Sequence, residues 1–134
     1  MKQNWKIFLI APVLGLLAMI LPVLLNRPVH WYDSPLFPVI RNAQENIGVT
    51  EFVLLLVVGF VLGHVSRMPA LLLGGAAVIL LPFAALAEMV ADPTSHNLWP
   101  LEFMFYAFYG AVAAAGAGLA HLTSKWFMQD SSGA

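Results

Sequence analysis

The chain has 134 residues, 60% of them apolar and only 10% charged, with a mean hydropathy of +0.83 and a formal net charge of −1. Soluble domains carry roughly 45–50% apolar and about 25% charged residues, so a water-facing globular surface is excluded, and disorder is excluded because it needs low hydrophobicity and high charge. What remains is an integral membrane protein, a single membrane unit over 1–134 with no basic block to attract nucleic acid.

Ile7 to Leu25 is a run of 19 uncharged residues, enough to cross about 30 Å of hydrocarbon at roughly 1.5 Å per residue. Lys2 and Lys6 precede it, as in a secretory signal. The run is long for such a signal, and Leu24-Leu25-Asn26 offers no small-x-small cleavage site, so it reads as an uncleaved first span.

Asn26 to Val49 is the longest stretch between spans, 24 residues. Leu36, Ile40, Ala43 and Ile47 recur at helical spacing, with Arg41, Gln44 and Glu45 pointing elsewhere. That pattern predicts a short amphipathic helix over about 35–47, on the bilayer surface or across the bundle mouth. Ser34-Pro35 resembles an N-cap with proline at N1, and Gly48 a C′ residue. Pro38 cannot donate in the first turn, which moves the start toward Phe37. Trp31, Tyr32, Phe37 and Ile40 are the candidate anchors for a partner or ligand, because buried aromatic residues dominate interface energetics.

The second span is about 50–67, with Thr50 as a plausible N-cap and Glu51 at the positive end of the helix dipole. Ser66-Arg67-Met68-Pro69 then turns into a third span over about 69–90. Pro82 lies inside that span and predicts a kink, since it frees a carbonyl. Loop residues Asp92-Pro93 and Trp99-Pro100 read as turns. The fourth span covers about 103–127; Phe103, Phe105, Tyr106, Phe108 and Tyr109 crowd its start like an interfacial aromatic belt. The expected fold is an all-α four-transmembrane-helix bundle with a short amphipathic helix in the first outer loop.

Lysine and arginine set the expected orientation. Lys2, Lys6, Arg67 and Lys125 fall on one side and Arg27 and Arg41 on the other, which favours both termini cytoplasmic, while the short loops and unprocessed first span suit a cell membrane, that of a bacterial inner membrane.

Three constellations invite a function. Gly59 and Gly63, with Gly110, Ala114 and Gly118, form small-residue stripes of the kind that pack membrane helices against each other or a second copy. His64 and His121 sit near the cytoplasmic helix ends and His30 and His96 in the outer loops, the placement that metal binding or two stacked b-type haems would require. Glu51, Glu88 and Glu102 fall at the outer ends of their spans as an acidic rim, able to concentrate cations.

No charge lies at a span midplane, which argues against ion pumps and proton-coupled carriers. No hydrolase, zincin or P-loop motif is present, and the chain has no cysteine. Enzymatic activity is thus not favoured, and no cofactor is required. The leading expectation is a non-catalytic accessory or assembly subunit with a membrane-protein partner or homo-oligomer. The alternatives are an oligomeric transporter or channel for a small solute or cation, and a b-haem electron carrier.

Overall fold

The computed structural model describes residues 4–26, 36–93 and 99–130, the last six by backbone alone. Described residues form six helices and no strand: α1 (Asn4–Asn26), α2 (Pro38–Glu45), α3 (Val49–Val65), α4 (Ala70–Val78), α5 (Leu80–Ala91) and α6 (Trp99–Asp130). Apolar side chains of α1 and α3 run around the whole helix rather than along one stripe, as expected where lipid covers what the bundle does not.

Three stretches are long and apolar enough to cross a membrane: Trp5–Leu25, Ala70–Ala91 and Trp99–Ser124. At 17 residues, α3 lies at the short limit of about 17–25 for a crossing helix. Counting α2 and α3 together as one bent element brings the total to four.

Pro82 acts one turn upstream of itself. It has no N–H for the carbonyl of Val78, and its ring crowds that group. Accordingly α4 stops at Val78 and α5 starts at Leu80, with Ile79 held by a tighter bond to the Ala76 carbonyl at 3.5 Å.

The amphipathic helix is shorter than the periodicity implies. It begins at Pro38, with Phe37 as N-cap and proline at N1, where a missing N–H is harmless. Ser34-Pro35, expected as its cap, lies outside the described residues. Gly48 does not close α2. Asn46 is the C-cap, and its side chain donates to the Asn42 carbonyl at 2.9 Å. Gly48 instead caps α3, its N–H donating to the Glu51 carboxylate at 2.8 Å, and Thr50 lies inside that helix rather than capping it. The chain bends by 107° between α2 and α3, which lays α2 across one end of the bundle. Trp99-Pro100, expected as a turn, opens α6, because proline is tolerated in a first helical turn.

The core divides along the bundle axis. At the end carrying the Ser66 turn it consists of Ile7, Ala11, Leu62, Leu73, Ala77, Ala113 and Ala117. At the α2 end it contains Met19, Leu55, Leu81, Tyr106 and Tyr109, with Ile40, Ile47 and Phe52 packed against them.

Glycine permits the closest approaches. A Cβ on Gly59 would run into the Ala113 carbonyl, one on Gly63 would meet the Ala117 backbone at 2.7 Å, and one on Gly15 would strike the Ala77 carbonyl. Gly110 and Ala114 face Gly74 of α4 instead of α3. Gly118 is a correction to the expected stripe: a Cβ there meets nothing within 4 Å. The spacing of four carries Gly110 and Ala114 toward α4. The face that meets α3 is offset around α6 and made of Ala113, Gly116 and Ala117, where a Cβ on Gly116 would hit the Leu56 carbonyl.

Candidate functional site

The α2 end gathers the polar chemistry of the chain. Two glutamates there accept backbone N–H groups that helix starts leave without partners. Glu51 takes the N–H of Gly48, while Glu88 of α5 takes that of Phe37, the N-cap of α2, at 3.2 Å. Both are buried, 3% and 5% exposed. They are therefore not the solvated rim that their positions suggested: each carboxylate is folded inward because a helix N-terminus supplies a donor and a favourable dipole. Only Glu102, in the first turn of α6, is partly open.

Further contacts fix α2 to its neighbours. Gln44 donates from Nε2 to the Tyr106 hydroxyl at 3.1 Å. Ala43 is 1% exposed, with Ile40 and Ile47 half-buried against the same core. Ile40, expected among the recognition anchors, is thus turned toward the bundle; Phe37 is 36% exposed and Trp31 and Tyr32 lie outside the described residues. Asn42 is also buried. Its Oδ1 accepts from Asn46 at 3.0 Å, while its Nδ2 has no partner among the described residues. An unpaired buried donor costs about 1–3 kcal/mol.

The aromatic residues of α6 separate by face. Tyr106 and Tyr109 are buried, while Phe105 and Phe108 are 49% and 55% exposed. Phe52 of α3 packs edge-on against Phe108 at 5.7 Å and tilted against Tyr109 at 5.9 Å, so the belt is continuous with the interior. Between the two sides lies an open groove of about 390 Å³, with Arg41, Gln44 and Glu45 on α2 facing Glu102, Phe105 and Phe108 on α6. Arg41 Nε pairs with Glu45 Oε1 at 3.2 Å, one helical turn away.

The histidines have separate partners. His64 is exposed and stacks on Phe60, with ring centroids 6.3 Å apart. His121 is half-buried and its Nε2 lies 3.1 Å from the Ser66 carbonyl, tying the α3–α4 turn to α6. His30 and His96 lie outside the described residues. Among the described residues, no group of three or more histidine and acidic side chains is arranged to hold a metal ion.

Sequence reasoning overlooked Asn42, the Gln44–Tyr106 bond and the face of α6 formed by Tyr106, Tyr109, Ala113, Ala117 and Ala120. That face is legible in hindsight, since those positions recur every three or four residues. No family model matches the chain, and neither a curated protein nor a solved structure shows significant similarity to it.

Proposed function

We propose that this chain is a four-span, non-catalytic accessory or assembly subunit of a membrane complex, seated in a bacterial inner membrane with both termini cytoplasmic. The observation that supports this reading most is the filled interior. Ala11, Leu55, Ala113, Ala117 and Ala120 are all 0% exposed, and the glycine contacts bring α3 and α6 to backbone distance. Interior positions filled in this way among the described residues argue against a lumen within a single copy, so transport would need an oligomer. Arg41, Glu45, Phe105 and Phe108 are open at the α2 end, where a partner would meet them.

The test is purification of the tagged chain from its native membrane in mild detergent. A membrane protein retained at fixed stoichiometry is the expected result. Solute flux in liposomes containing this chain alone would replace the accessory reading with transport, and a Soret band in the purified protein would replace it with electron transfer. A C-terminal reporter should report the cytoplasm. Periplasmic activity with the N-terminus inside would reduce the span count to three.

A further inference from the structure

We infer that the groove between α2 and the start of α6 is a binding site for one membrane lipid with a zwitterionic, amine-bearing phosphate headgroup. Its walls differ in kind. Phe52, Phe105 and Phe108 form an apolar wall, and Phe105 and Phe108 belong to the outer surface of a candidate membrane span. A free headgroup in water has no use for such a wall, whereas an acyl chain does.

The other side carries Arg41, Glu45 and Glu102, one cation against two carboxylates. Arg41 and Glu45 already pair with each other, with side chains 29% and 41% exposed, so both keep access to a ligand. A headgroup phosphate extends the pair at Arg41. An ammonium suits the remaining negative balance at Glu45 and Glu102 beside aromatic faces, which attract cations. A lipid with phosphate alone would bring a third negative charge to two carboxylates. The groove's charge thus favours a zwitterion over an anionic lipid, and its apolar wall names the bilayer as the source. This inference rests on the membrane class of the chain and not on the accessory role.

Photo-crosslinking with a phosphatidylethanolamine carrying a diazirine in its acyl chain tests the site, using the full chain in maltoside micelles. Label should map to residues 44–52 and 102–109. Unlabelled phosphatidylethanolamine should compete about fivefold better than phosphatidylglycerol of the same chains, the worth of one partly exposed charge pair. Glu102→Gln should remove that preference, with folding checked by circular dichroism. Glu45→Gln should weaken it and serves if Glu102→Gln fails to fold.

Label spread evenly over the exposed faces of α1 and α4, or equal competition by the two lipids on the unaltered chain, overturns the proposal. So does stronger competition by dodecyltrimethylammonium, which would show that the phosphate is not read. Purification without any retained membrane protein, with the lipid preference intact, overturns the accessory reading alone, whereas a retained protein with evenly spread label overturns only this inference.

Discussion

The two ends of the bundle are built on different physics. Near the Ser66 turn the interior is alanine, glycine and a few aliphatic side chains, and helices touch backbone to backbone. Near α2 the interior is aromatic and polar, with two buried glutamates, a buried asparagine and a glutamine–tyrosine bond. In lipid, helices gain no hydrophobic advantage by meeting, so close approach and dispersion hold the first end. The second end must satisfy the free N–H groups of two helix starts, and hydrogen bonds to carboxylates do that work. Steric fit governs one end and polar satisfaction the other.

The largest effect should come from breaking the steric end. Gly59→Leu drives a side chain into the Ala113 backbone and should cost about 3 kcal/mol, since neither helix can yield without losing its neighbours. Gly118→Leu, one turn beyond Ala114 on α6, should change stability by less than about 0.5 kcal/mol, because its side chain enters open space. Thermal unfolding of both variants in one detergent checks the contrast, and a comparable loss at Gly118 would mean that α6 is rotated from the orientation described.

Smaller and more local is the expected consequence of Glu88→Ala. It leaves the Phe37 N–H without its carboxylate partner, at about 1–3 kcal/mol. The loss should fall on α2. Hydrogen exchange ought to accelerate at 37–45 while protection of α3 and α6 holds, and Glu88→Gln, which keeps an acceptor oxygen, should recover part of it. Uniform loss of protection would show that α2 is integral to the bundle instead of tied on at its end.

The smallest effect sharpens the polar end. Gln44→Ala and Tyr106→Phe each remove one partner of a single hydrogen bond. A double-mutant cycle should return a coupling of about 1 kcal/mol, measured by thermal unfolding, since the bond exchanges water or headgroup contacts for a protein contact. Additive effects would mean that the 3.1 Å contact contributes no net coupling.

Composition and apolar run length point to a helical membrane protein with four spans, and the structure has a helical chain with three to four candidate spans, because burial in lipid constrains hydropathy residue by residue. Helical spacing also placed a short amphipathic helix before α3, and Pro82 marked the break in the third apolar stretch, because a missing donor acts within one turn. Tertiary structure alone decided which side of each helix meets which neighbour. Gly118 repeats the spacing of Gly110 and Ala114 and still faces open space, since a small residue records permission for contact and not the partner's position. The partner of the Glu88 carboxylate was decided the same way. Glu51 and Glu88 both sit at span ends, yet Glu51 takes the helix-start N–H of Gly48, three residues earlier, and Glu88 that of Phe37, 51 residues away. The second donor reaches its acceptor only when the chain folds back on itself, so that pairing is a property of the fold.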